Sequence, residues 1–253
     1  LSACLDSLLQ QSWPRGNNEL VVVDNGSMMV PDVRRWGARI VRHPDNGGNI
    51  IGTNRCYTAA EGEYVLFIAN DVRFHAGCLE ALWAHRVKAD IVQPVLVQPD
   101  AQIDNVGLRW NWPGYGSRVR TVKGRIDAFS NTCHLMKKTT WMMVGGFDAA
   151  LGISHEDIDF SLRAKALGYT IEHCPVAWAT HLMGQTIGRV VGADLSPYYR
   201  RARSRVLTKH YRGLDGLLRR SLVTVLDAGA GCRLPRSPGA QTTPASAPPG
   251  PDH

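Results

Sequence analysis

Apolar positions along this chain alternate between helical stripes and short continuous runs. Leu1, Leu5, Leu8 and Leu9 share one side of a helix, and a Pro/Gly/Asn turn then leads into the run Leu20-Val-Val-Val-Asp24. Arg39-Ile-Val-Arg42 predicts a second short strand, followed by an Asn/Gly-rich turn at 45–49 and a helix over 50–60. Tyr64-Val-Leu-Phe-Ile-Ala69 predicts a third strand, ending at Asn70-Asp71, before a helix over 77–88 and a strand over 91–97. Further on, Ile158, Leu162 and Ala166 recur on one helical face, and Gly168 provides a left-handed stop. Strands alternating with helices at these lengths predict a layered α/β fold with a mostly parallel sheet.

Two stretches do not follow this alternation. Residues 100–130 are rich in Trp, Gly and Arg (Trp110, Trp112, Gly114, Gly116, Arg118, Arg120) without a clean period, which fits either a substrate-covering loop or an irregular insertion. Residues 229–253 form a Pro/Ser/Ala-rich tail that cannot bury enough apolar surface to fold. Before that tail, Leu214, Leu217, Leu218, Leu222, Val225 and Leu226 make an apolar stripe beside Arg219 and Arg220.

Composition narrows the class. With 253 residues, 44% of them hydrophobic, the chain can build one domain with a sizeable core or two small ones. No uninterrupted apolar run of about 20 residues predicts a spanning helix, no signal-type segment is present, and cytoplasmic residence is the expectation. Cys4, Cys56, Cys78, Cys133, Cys174 and Cys232 are scattered, without Cys-x-x-Cys or zinc-finger spacing, and read as reduced thiols. The net charge of +7 is local: residues 200–220 hold eight Arg or Lys and one acid, leaving 21 of each sign elsewhere. A neutral body with one basic segment argues against nucleic acid as the partner.

Candidate chemistry lies at the strand ends. In open α/β sheets the ligand binds beyond the carboxyl ends of the strands, where this chain puts Asp24-Asn-Gly-Ser27, Asp45-Asn-Gly-Gly-Asn49 and Asn70-Asp71. Each is also an ordinary turn sequence; together they point to a nucleotide site. The cluster Glu156-Asp157-x-Asp159 suits either a helix cap, where the dipole favours carboxylates, or an active site.

These residues resemble the inverting family 2 glycosyltransferases of GT-A fold, particularly the rhamnosyltransferase-like branch, over residues 1–212. Val21-Val-Val-Asp-Asn-Gly-Ser27 looks like the family's second-strand signature, and Asn46-Gly-Gly48 with Gly52 and Asn54 is similar to its donor loop, with Cys56 at a usual glycine. Phe67-Ile-Ala-Asn-Asp71-Val72 corresponds to its Asp-x-Asp region, with Ala69 at the first acidic position. Gly145-Gly-Phe-Asp148, Glu156-Asp157-x-Asp159 and Arg163 match its acceptor-side signature, and His181-Leu-Met-Gly184-Gln-Thr186-Ile-Gly188 a later element.

The resemblance implies a Rossmann-like three-layer α/β/α domain at residues 1–198, with a mixed, mostly parallel sheet. A basic amphipathic helical segment over 199–228 and the tail would follow. It implies Asp157 as catalytic base, Glu156, Asp159 and Arg163 as acceptor ligands, and Asp24, Asn46, Gly48, Asn54, Asn70 and Asp71 as donor ligands. Asp71 and His181 would hold Mg²⁺ or Mn²⁺, a hard cation suited to oxygen ligands. Implied partners are a UDP- or dTDP-sugar, a saccharide or lipid-linked acceptor, and an anionic membrane surface on the cytoplasmic inner face. The product class would be cell-surface polysaccharide or glycolipid. The alternative is a catalytically impaired relative that only binds sugar nucleotide, motivated by Ala69 and Cys56. The family's first strand, which precedes the helix at 1–9, is missing from the sequence, so this chain is expected to be a fragment, poorly stable or inactive alone.

Overall fold

The structure, a computed structural model, describes residues 1–12, 18–182 and 195–229. Its first half alternates as the pattern predicts, with α1 (Ser2–Leu9), β1 (Val21–Asn25), β2 (Arg39–His43), α2 (Gly48–Ala59), β3 (Tyr64–Ile68), α3 (Cys78–His85) and β5 (Ile91–Val97), and with one short strand the pattern did not predict, β4 (Val72–Phe74), between β3 and α3. The stretch without a period contains β6 (Ile103–Asn105) and a hairpin of β7 (Leu108–Asn111) and β8 (Tyr115–Arg118). Then come β9 (Cys133–Lys137), α4 (Lys138–Val144), α5 (Glu156–Ala166), β10 (Ile171–His181), α6 (Ser196–His210) and α7 (Gly213–Gly229). The basic segment is thus two helices, broken at Tyr211-Arg212.

The main sheet is mixed, in the order β3-β9-β5-β10-β4, with β6 paired to β5. Strands β3, β5 and β10 run the same way, while β9 lies antiparallel between β3 and β5. Side chains alternate across it, as a pleated strand requires. Ile91 of β5 and Met136 of β9 join Ile50, Tyr57, Val144, Ile158, Phe160 and Val206 on one face. Val92, Leu96, Cys133 and Leu135 join Cys78 and Leu82 of α3, with Leu8 of α1, on the other. This is the three-layer α/β/α arrangement. Each such large side chain taken fully out of water contributes about 1.5–3 kcal/mol.

Two prolines mark an irregular point between β5 and β10. Pro94 in β5 pairs with Cys174 of β10, and the parallel register slips between Cys174 and Trp178, around Pro175. A residue without an N–H cannot continue a ladder, so the bulge falls there.

Strands β1 and β2 form a separate two-stranded parallel sheet. Val21, Val22 and Val23 are only half-buried, although their continuous apolar run reads as an interior strand. Helix α2 packs under both β1 and β3, and Glu19 ties their starting ends by accepting the amide hydrogens of Glu61 and Gly62. Among the described residues no strand pairs with the edge of β1 or of β3 that faces away from β2 and β9.

Candidate active site

The turns at the strand ends are bound to one another. Asn25, ending β1, donates through Nδ2 to Asn46 Oδ1 at 3.2 Å and to the Gly48 carbonyl at 3.0 Å. Asn46 Oδ1 also accepts the Gly48 amide at 2.9 Å, and Arg55 donates to Asn25 Oδ1 and to the Asp45 carbonyl. Gly26 is required at this crossing: its φ is +84°, and a Cβ there would stand 2.4 Å from the Asn46 nitrogen. Asp24 is buried; its Oδ1 accepts the Ser27 amide at 3.0 Å. Its Oδ2 has no hydrogen bond among the described residues, with Arg42 Nε at 3.6 Å. A buried carboxylate oxygen left open in this way suits a ligand hydroxyl or N–H.

The second turn reaches the acid cluster. Asn49, at the start of α2, donates to Glu156 Oε1 at 3.0 Å, and Asn131 donates to the same oxygen at 3.1 Å. The Asn131 backbone amide lies 3.4 Å from Asp157 Oδ2, and the next residue, Thr132, accepts the Ala69 amide at 2.8 Å through its carbonyl. One hydrogen-bonded path therefore runs from Asn25 through Asn46 and Gly48 into α2, to Glu156-Asp157, and on through Asn131-Thr132 to the turn carrying Asn70 and Asp71.

Glu156 is buried and Asp157 partly so. Burial raises the pKa of both carboxyls above the ordinary carboxylate range, and for Asp157 the neighbouring Glu156 charge raises it further. Before them, His155 adopts φ +62°, a left-handed conformation rare for a side-chain-bearing residue. Its ring meets Trp110 of β7 edge-on at 5.9 Å and Tyr199 of α6 at 6.2 Å, and burial lowers its pKa to about 4. A neutral imidazole and two aromatic rings thus flank the acid pair.

Asp159, Arg163 and Asn54 are placed otherwise than the resemblance implies. The Asp159 side chain is 0% exposed, held by Arg163 at 2.8 Å, Lys209 at 3.0 Å and His210 at 2.7 Å. Burial alone would raise its pKa, but His210, Arg163 and Lys209 outweigh it and hold the carboxyl at about 2. Arg163 donates to the carbonyls of Val144 and Gly146 as well as to Asp159. Asn54 gives its amide to the Phe147 carbonyl at 2.8 Å and accepts the Phe147 N–H at 2.9 Å. These three brace α2, α5, α6 and the Gly145-Gly146 turn, and their polar atoms are spent on that.

Asp71 and His181 come together at 3.5 Å, one from the turn after β3 and one from the end of β10. His181 Nδ1 meets Asp104 Oδ2 at 3.2 Å; Asp104 is fully buried and also paired with Arg118. Burial alone would lower the His181 pKa, but Asp104 and Asp71 raise it to about 9. A histidine with one ring nitrogen on a carboxylate and the other beside a second carboxylate is the usual support of a metal ligand. Two protein ligands are few, and among the described residues no group of three His, Cys, Asp or Glu side chains is arranged for a metal. Asp71 supplies the single carboxylate with which a Mg²⁺-type ion can be held when phosphates and water fill its remaining positions. Asn70 is exposed at the same turn. Gly184, Thr186 and Gly188 lie outside the described residues.

This layering, with polar turns at the strand ends converging on an acid pair, is the GT-A glycosyltransferase fold. Residues 1–144 match the sequence model of Glycosyl transferase family 2, and the chain belongs to that family. It is 26% identical over 209 residues to the uncharacterized protein y4gI of Sinorhizobium fredii, a match over 72% of this chain and 23% of that protein. Among solved structures it resembles GalNAc-T7, crystallised with UDP, GalNAc and Mn²⁺, with TM-score 0.63 and 14% identity over 91% of this chain and 52% of that one. It also resembles S. aureus TarS, with TM-score 0.57 and 18% identity over 86% of this chain and 38% of that one. The chain thus spans about a quarter of the curated relative and about half or less of these two structures.

Asn49, Asn131, Asp104, His155, Lys209 and His210 are site residues that sequence reasoning missed. Asn49 lay inside a turn that was singled out, His155 directly before the acid cluster, and Lys209 and His210 in the basic segment, whereas Asp104 and Asn131 sit where the pattern carries no signal of chemistry.

Proposed function

We propose that this domain transfers a sugar from a UDP- or dTDP-sugar to a hydroxyl of a saccharide or lipid-linked acceptor, with inversion, in the manner of the rhamnosyltransferase-like branch. The observation that carries the reading is the single hydrogen-bonded path joining three strand-end turns to Glu156-Asp157. Asp24, with its open carboxylate oxygen, would bind the nucleoside. Asn46 and Gly48 shape the turn beside it, Asn54 holds that turn's helix in place, and Asn70 and Asp71 face the diphosphate. Asp71 and His181 would hold Mg²⁺ or Mn²⁺, which when bound would neutralise charge on the departing diphosphate.

Asp157 is the base. Its raised pKa suits it to accept a proton near neutral pH. The acceptor oxygen forms a bond to the anomeric carbon as the bond to the diphosphate oxygen breaks; the hydroxyl proton passes to Asp157 and the bonding pair leaves with the nucleoside diphosphate. One displacement inverts the carbon. Glu156, fixed by Asn49 and Asn131, keeps that base oriented, while Trp110, His155 and Tyr199 wall the acceptor side. Products would be cell-surface polysaccharide or glycolipid, made at the inner face of the cytoplasmic membrane. The test is a donor-hydrolysis screen of UDP- and dTDP-sugars with Mn²⁺: turnover by the parent chain and none by Asp157→Asn supports the reading, and equal turnover by both overturns it.

We further propose that an additional strand lies between β1 and β3 in the working protein. Two strand edges unpaired among the described residues, above one shared helix, and half-buried Val21–Val23 support it. Supplying an upstream strand should raise both thermal stability and turnover; no change in either would refute it.

A further inference from the structure

The apolar stripe of α7 faces away from the protein. Leu214, Leu217, Leu218 and Val225 are 72%, 55%, 55% and 66% exposed, at a spacing that places them on one helical side. The opposite side docks: Val223 is buried, Asp227 binds Arg203 of α6 and accepts a hydrogen bond from Tyr115 of β8, and Gly216 lies under the Tyr211 carbonyl, where no Cβ would fit. An ordinary surface helix turns its apolar side inward; this one is reversed.

Beside that face the charge is uncompensated. Among the described residues Arg200, Arg201, Arg205, Arg212 and Arg220 have no ion-pair partner, whereas Arg203, Lys209 and Arg219 are paired with carboxylates. Arg201 and Arg205 are exposed on one side of α6 together with Tyr198. Between the two helices lies an open cavity of about 230 Å³, walled by Arg200 and Ser204 on one bank and Arg220 and Thr224 on the other, over Leu207 and Val223; Asp227, which also lines it, is paired with Arg203. Two guanidinium groups and two hydroxyls are phosphate-binding chemistry. The space is ample for a phosphate ester, since a water takes roughly 30 Å³.

We propose that α6 and α7 form a docking surface for an anionic phospholipid membrane, with the α7 leucines entering the acyl boundary and one lipid phosphate seated between Arg200 and Arg220. Charge selects this occupant. A second copy of the chain would bring two segments of the same strong positive charge together, whereas an anionic leaflet neutralises them. Residues 230–253 offer a single large aliphatic side chain, Leu234. The inference specifies how the proposed membrane location is achieved, and its test needs no sugar transfer, so the two readings fail separately.

The test is co-sedimentation of the full chain with phosphatidylcholine vesicles, with and without phosphatidylglycerol. Binding only to the phosphatidylglycerol vesicles is expected. Leu217→Gln/Leu218→Gln should lower the partition about tenfold or more. Arg200→Gln/Arg205→Gln should lower it about thirtyfold, on the surface energy of two arginines. Both variants should keep the parent's circular dichroism and thermal midpoint. Equal binding to neutral vesicles, no binding to either, or a dimer that the leucine variant dissociates while vesicles are ignored would overturn the proposal.

Discussion

Glu156 and Asp157 stand side by side in the first turn of α5, and what separates them is the company each keeps. Glu156 spends one oxygen on two asparagine amides, while Asp157 receives only backbone amides and remains partly open. Both folded-state pKa values lie above the unfolded carboxylate range near 4. Stability from the protonated pair is therefore complete below about pH 4 and is lost as pH rises through the raised values. Asp157→Asn removes a carboxyl that ionises beside Glu156 only above its raised pKa of about 8, so above that pH its melting temperature should exceed the parent's, while turnover falls about 10²–10⁴-fold. Parent turnover should rise with pH over the same raised range. At the cation pair, Asp104 acts through His181, and Asp104→Asn should weaken Mn²⁺ binding about 10–100-fold by calorimetry. In the sequence Asp157 was legible as one of three acids, but its difference from Asp159 was not. An acid four residues before an arginine on a helix reads equally as an acceptor ligand and as a brace, and only the approach of Lys209 and His210 from α6 decides it.

Helix α5 is fastened twice in its first turn, by Asn49 and Asn131 at Glu156 and by α6 at Asp159. Asp159→Ala would leave Arg163, Lys209 and His210 without their shared carboxylate, and chemical denaturation should show a loss of about 3–5 kcal/mol. An acceptor-binding role would instead raise KM with stability unchanged. Because the Asp159 pKa falls to about 2 on folding, its contribution is present above about pH 4 and disappears between pH 4 and 2. The elements legible in the sequence were those with continuous apolar runs or clean helical stripes, namely α1, β1, β2, β3, α3, β5 and α5; the three-residue β4 was too short to show one. Strand β9 reads Cys-His-Leu-Met-Lys, and β10 is interrupted by Pro175 and charged residues, so neither shows a strand period until its neighbours are in place. The hairpin β7–β8 was hidden for the same reason: its glycines and tryptophans form an edge ribbon packed on α6, not a repeating face.

Across the whole molecule, neutral body and basic helical pair divide the work. The body brings three strand-end turns to one acid pair, and α6 links that pair to the reversed amphipathic α7. Overall charge was legible in the sequence, but the direction of the α7 stripe was not, because a periodic pattern does not state which side docks. Neither did the pattern show the open edges of β1 and β3, which are a property of the sheet. The claim that depends on all of this is that Asp157 performs sugar transfer from a donor held by the converging turns. Its most direct measurement pairs nucleotide binding with turnover in the parent and in Asp157→Asn. Equal affinity for the UDP- or dTDP-sugar in both, with transfer only by the parent, is the expected result. Undiminished transfer by Asp157→Asn would contradict the account.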